Sequence, residues 1–142
     1  MQLLDRRRDL MAAQDSGPYG LRDGTYTDQV NGGTVEVTNS NTTRLNGLLN
    51  EDQYMIKLLR PINTGSNAYI NQTNSYYRPN TKIKFWFGDG TTQTANVTLN
   101  TYSVHTAIPT GKRLKGISFG HTSAFNNNTI GWSITVDGVT LF

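Results

Sequence analysis

Apolar residues recur most clearly at every second position, and the strongest run is Lys82 to Phe87, where Ile83, Phe85 and Phe87 alternate with Lys82, Lys84 and Trp86. Period two places successive side chains on opposite faces of an extended strand, so this run predicts a strand with one buried face. Gly88-Asp89-Gly90 then supplies turn residues, and Ala95, Val97 and Leu99 resume the alternation, which predicts a hairpin. Ile117 and Phe119 repeat the pattern, as do Ile130, Trp132, Ile134 and Val136. Past Asp137-Gly138 the parity of Val139 and Leu141 shifts by one. So short a remnant makes a poor hairpin partner, and a bulge within one bent strand is expected in preference to a two-residue turn. Together these runs predict an antiparallel β-sandwich over residues 54–142, with Ile83, Phe85, Phe87, Val97, Leu99, Phe119, Ile134 and Val136 in its core.

Upstream the pattern weakens. Residues 45–59 are ambiguous: Leu45, Leu48, Leu49, Ile56 and Leu59 fit a helical stripe that Asp52 interrupts, while Tyr54 to Leu59 suits a strand stopped by Pro61. The strand is the preferred reading. Residues 25–53 are polar, with a strand expected at Thr34 to Thr38, Val35 and Val37 sharing a face. Such a segment is too polar to form a core by itself and is expected as an extended arm or edge strands.

Residues 14–24 hold three Gly and a Pro, which is linker chemistry. Before them, residues 1–13 consist of strong helix formers without Gly, Pro or Thr, so residues 1–24 read as a short helical or extended arm and its linker. At about 100° per residue, Leu3, Leu4, Leu10 and Met11 share one sector, and Arg7 falls inside it. With Arg6 and Arg8 beside it, this arm is expected to anchor on a partner, its apolar side chains in a groove and its arginines on carboxylates.

Composition agrees with an all-β chain. Only 16% of the 142 residues are charged, whereas the sequence holds 20 Thr, 15 Asn and 14 Gly, the residues of pleated strands and tight turns. This composition argues strongly against an all-helical domain. The absence of Cys rules out disulfides and thiolate metal sites. A net charge of +3 without a long basic stripe argues against nucleic acid as a partner. No window is apolar enough for membrane insertion, and Asp5 follows Leu3 and Leu4 too soon for a signal peptide, so synthesis in a cytoplasm is expected.

Catalytic chemistry finds little support. Glu36 and Glu51 are the only glutamates, and the aspartates sit mostly in turn-like contexts. His105 and His121 have no acidic or His neighbour at ligand spacing, so neither a metal nor another cofactor is expected. Ser118 and Ser123 flank His121, but no nucleophile elbow or triad is expected there, and the chain reads as a non-enzyme. The aromatics offer more. Trp86 shares a strand face with Lys82 and Lys84, while Tyr69, Tyr76 and Tyr77 lie among Asn, Gln and Ser. Flat rings beside amides suit a sugar, which makes these four the candidate carbohydrate-binding residues; the same rings can equally cover a second sheet or a subunit contact.

The ending Trp132 to Phe142, with its aliphatic-x-aliphatic-Asp-x-Val-x-Leu pattern, resembles the last strand of galactose-binding-like jelly rolls and carbohydrate-binding modules. The opening Asp5 to Ala13 resembles the arginine-rich starts of virion and tail-associated bacteriophage proteins. These resemblances imply a jelly-roll-like sandwich on a tailed phage particle, as capsid decoration or as a tail or fibre component attached to other virion proteins. The alternative they imply is a carbohydrate-binding adhesin module for host surface glycans. Thr-rich strands with few guarding charges add the expectation of a homo-oligomer.

Overall fold

A computed structural model describes residues 20–38, 42–64, 67–72, 81–97, 103–137 and 139–141, with the backbone alone for 67–72 and 103–105. The expected arm residues Leu3, Leu4, Arg6, Arg7, Arg8, Leu10 and Met11 lie outside the described residues, as do Tyr76, Tyr77 and Leu99. Eleven strands are described: β1 Gly24–Thr27, β2 Thr34–Thr38, β3 Thr42–Gly47, β4 Ile56–Asn63, β5 Asn67–Gln72, β6 Thr81–Phe87, β7 Thr92–Val97, β8 Ser103–Ala107, β9 Arg113–Gly120, β10 Phe125–Val136 and β11 Val139–Thr140. All pair antiparallel.

They form two sheets. A seven-stranded sheet runs β1-β2-β3-β10-β5-β8, with β11 also on β10, and a four-stranded sheet runs β4-β9-β6-β7. From β3 to β10 the chain changes sheet at every connection except the β6-β7 hairpin, so that β3-β10-β5-β8 lies in one and β4-β9-β6-β7 in the other, the double Greek key of an eight-stranded jelly roll. Strands β1 and β2 extend the larger sheet.

The alternation in the sequence carries the core. On β6, Thr81, Ile83, Phe85 and Phe87 are buried while Lys82, Lys84 and Trp86 are half-buried on the other face. Their buried partners are Ala95 and Val97 of β7 and Leu114, Ile117 and Phe119 of β9. Ile130, Trp132, Ile134 and Val136 of β10 meet them from the larger sheet. Trp132 and Phe119 join the layers, with ring centroids 5.0 Å apart, and the buried Trp132 Nε1–H donates to Thr43 Oγ1 at 2.7 Å. Residues 25–53 supply Val35, Val37, Leu45 and Leu49 to the same core, so the expected edge segment is three strands of the larger sheet.

Two local expectations are corrected. Pro61 does not end β4, which continues to Asn63. Between Lys57 and Ile62 the pairing with β9 is interrupted; there Leu58 bridges Leu21 and the Leu59 N–H donates to Gly20 O at 2.9 Å. A proline inside that gap removes no bond from the β4-β9 ladder. Near the C-terminus, β10 and β11 pair with Val136 opposite Val139, which is a hairpin and not a bulge. Asp137 adopts a φ of 50°, as a tight primed turn requires. The short return strand holds because Leu141 is fully buried, its N–H bonded to Ile134 O at 2.8 Å and its carbonyl accepting from Leu21 N–H at 3.1 Å.

One carboxylate organises an end of the sandwich. Asp28, fully buried, follows β1 and accepts from Val30 N–H and Asn31 N–H at 2.9 Å on Oδ1. Its Oδ2 accepts from Asn31 Nδ2 at 2.8 Å and from Asn50 N–H at 2.9 Å. Burial by itself pushes this carboxyl upward, but the combined donors from Asn31, Asn50 and Val30 outweigh it and hold the group below the usual aspartate value.

Phe85→Ala should cost about 3–5 kcal/mol in denaturant unfolding, the usual cost of truncating a buried Phe. Asp28→Asn turns an acceptor into a donor facing other donors and should cost about 2–4 kcal/mol. Because the native carboxyl titrates below the unfolded one, the unfolded chain binds more protons between the two values. The Asp28 contribution is therefore complete above roughly pH 4 and lost as pH falls through its lowered native value, a slope that unfolding curves of Asp28→Asn should lack.

Candidate functional site on the outer face of the smaller sheet

Residues 48–55 carry the chain from β3 in the larger sheet to β4 in the smaller one, and part of this crossing lies on the outside of β9. Ile117 and Phe119 point into the core, so Ser118 and Gly120 face outward, and Gly116 lies with them beside a bulge in the β9-β6 pairing. These small residues make room. A Cβ on Gly120 would meet Glu51 N at 2.8 Å, and one on Gly116 would meet Met55 Cγ at 2.6 Å and Ile56 O at 2.7 Å. Ser118 Oγ donates to Glu51 O at 2.6 Å.

Tyr54 closes the crossing. Its hydroxyl donates to Phe119 O at 2.6 Å and accepts from Phe119 N–H at 2.7 Å, so a side chain satisfies backbone groups that a strand would otherwise pair. That is why β4 starts at Ile56 and not at Tyr54. Burial, with Asp28 and Glu51 adding to it against the Phe119 bond, pushes the phenol far above its ordinary value and keeps it a neutral hydroxyl.

Trp86 stands beside this crossing on the next strand, opposite Gly116 on one side and Thr92 on the other. Its indole N–H donates to Ser118 Oγ at 2.9 Å. The Lys84 ammonium lies 4.3 Å from the centre of its ring and pairs with Asp52 from the crossing, while Lys82 reaches Glu51 at 3.9 Å. The indole is therefore fixed by a hydrogen bond at its edge and a cation over one face. Beyond it Thr92, Thr94 and Asn96 of β7 are exposed, a row of hydroxyls and an amide next to a half-buried ring.

The other candidate positions lie elsewhere. Tyr69 belongs to β5 in the larger sheet, opposite Thr135 of β10 and His105 of β8, so the fold does not bring it to Trp86. Tyr76 and Tyr77 are outside the described residues.

Gly116-Ile117-Ser118-Phe119-Gly120 spells G-x-S-x-G, a match that the expectation of no elbow passes over. The letters are present and the elbow is not, because the five residues are extended within β9 and Ser118 is fully buried. Its hydroxyl bonds the crossing and the indole, whereas His121 Nδ1 accepts from Ser123 N–H at 3.0 Å and its ring packs 5.0 Å from Phe125. Small residues alternating with apolar ones from Gly116 to Gly120 are the sequence signal for a segment packed on that part of the strand. Among the described residues no three acidic or His side chains gather as metal ligands. The chain matches no protein-family model, no curated protein and no solved structure.

Ser118→Ala should leave both the Trp86 N–H and Glu51 O without their buried partner, at a cost of about 1–3 kcal/mol. In nitrogen-proton spectra it should shift the indole resonance of Trp86 and leave that of Trp132, bonded to Thr43, in place.

Proposed function

We propose that this chain is a structural protein of a tailed bacteriophage particle, a capsid decoration or a tail or fibre component, fastened through its N-terminal arm and displaying the jelly roll. The observation that carries this reading is the order of its parts. A jelly roll, an architecture that viral capsid proteins share with lectins, has its described core beginning at Leu21, preceded by a Gly- and Pro-containing linker and, before that, a stretch that combines apolar residues with three consecutive arginines. Burying Leu3, Leu4, Leu10 and Met11 in a partner supplies about 6–12 kcal/mol before ordering costs, enough for stable attachment. Edge strand β7, Thr92–Val97, bears no charge or proline to guard it among the described strands, and this supports assembly with further copies of the chain. A second reading, a module for host surface glycans, draws on Trp86 and its exposed row of Thr92, Thr94 and Asn96.

A mass-spectrometric inventory of purified particles of the encoding phage should contain this chain. Deleting residues 1–13 should leave the thermal unfolding of the body unchanged and abolish incorporation into particles. A truncated chain that still loads normally would overturn the role of the arm, and absence of the full chain from the particles would overturn the structural reading.

A further inference from the structure

The two sheets differ sharply in charge. Strands β4, β6, β7 and β9 carry Lys57, Arg60, Lys82, Lys84, Arg113 and Lys115 and no Asp or Glu. The described strands of the larger sheet carry Arg44 and Glu36 alone. Acidic groups do reach the smaller sheet from its loops, but each is matched: Glu51 by Lys82, Asp52 by Lys84 and Asp89 by Lys112 at 3.0 Å. The balance that remains is positive. Lys57, Arg113 and Lys115 are exposed and make no ion pair among the described residues.

Strand register places this excess next to Trp86. Lys57 lies opposite Gly116, and Gly116 lies opposite Trp86, so the lysine and the indole stand roughly 10 Å apart, two strand spacings, on either side of Met55, which packs over the glycine between them. Leu114 and Ile117 are both buried, so the bulge between them puts Lys115 on the same side as Gly116, and the exposed Arg113, one residue before the inward Leu114, faces that side too, next to Asn63 of β4 and to Gly88 just past β6. We infer that this face binds an anionic polysaccharide, a chain of uronate- or sulfate-bearing sugars, with a sugar ring against Trp86 and its acid groups on Lys57, Arg113 and Lys115. The inference rests on the glycan reading of Trp86 and adds the charge class of the ligand. Free cations on β4 and β9, with Trp86 of β6 between them and a row of hydroxyls and an amide on β7, suit a polyhydroxylated chain with spaced charges better than the dense phosphates of a nucleic acid.

The test titrates the full chain with polygalacturonate, neutral dextran and oligothymidylate at low salt. Polygalacturonate should bind and weaken as salt rises, since exposed charges are screened. The triple variant Lys57→Gln, Arg113→Gln, Lys115→Gln should lose at least about tenfold in affinity with its melting temperature unchanged, while Arg44→Gln on the larger sheet binds like the parent. Trp86→Ala should weaken binding too. No polygalacturonate binding, an unaffected triple variant, or equally tight oligothymidylate binding would overturn the inference. Neutral glycan binding that Trp86→Ala removes and the triple variant keeps would overturn the charge assignment and leave the glycan reading standing; silence from every sugar would remove both.

Discussion

The two sheets depend on how the chain leaves one for the other, and the Asp28 carboxylate fixes that departure. Its four donors come from the turn after β1 and from Asn50 in the crossing to β4, so one buried charge ties the first hairpin to the first change of sheet. A charge in that position is tolerable because its acceptors are satisfied by N–H groups that would themselves be costly to bury unpaired. Leu49, next to Asn50, is thereby set into the core, and its carbonyl accepts from His121 N–H at 3.3 Å. The hub thus links β1 to the loop that precedes β10.

From Asn50 the crossing needs a surface to lie on, and β9 provides it by giving up side-chain volume at Gly116, Ser118 and Gly120. The same economy explains why Trp86 is rigid. A hydroxyl that anchors the crossing also accepts from the indole, and the carboxylate of Asp52 in the crossing holds the lysine that covers the ring. Structure and display are coupled there: loosening the crossing would free the indole as well.

Much of the sandwich was legible because its strands bury one face, and a half-buried strand writes its orientation into every second residue. Ile83, Phe85, Phe87, Ile130, Trp132, Ile134 and Val136 point inward as their spacing requires. Misreadings came where a local rule met a tertiary exception. Proline stops a strand only where its N–H is needed, and at Pro61 the ladder with β9 is already interrupted. A remnant of four residues is too short for a hairpin only if nothing buries it, and Leu141 is buried between Ile134 and Leu21. The outward residues of β9 carried a signal too, but small residues alternating with apolar ones look like turn chemistry until the segment that covers them is known.

Charge was illegible for a different reason. Read along the chain, the cations scatter singly and in small groups, which argues against a basic surface. In a jelly roll, however, neighbours across a sheet come from strands far apart in sequence, and the β4-β9-β6 order sets Lys57, Lys115 and Trp86 around one glycine. Linear spacing cannot report such a cluster, because the interleaving that creates it is a property of strand order alone. The core demands nothing of those outward positions beyond strand propensity, so a row of cations there is not required by packing. Nor is it fully consumed by ion pairs, since the acidic loop residues neutralise only the lysines closest to them. What is left over is a positive face that neither folding nor internal pairing accounts for, set around an indole that folding holds still.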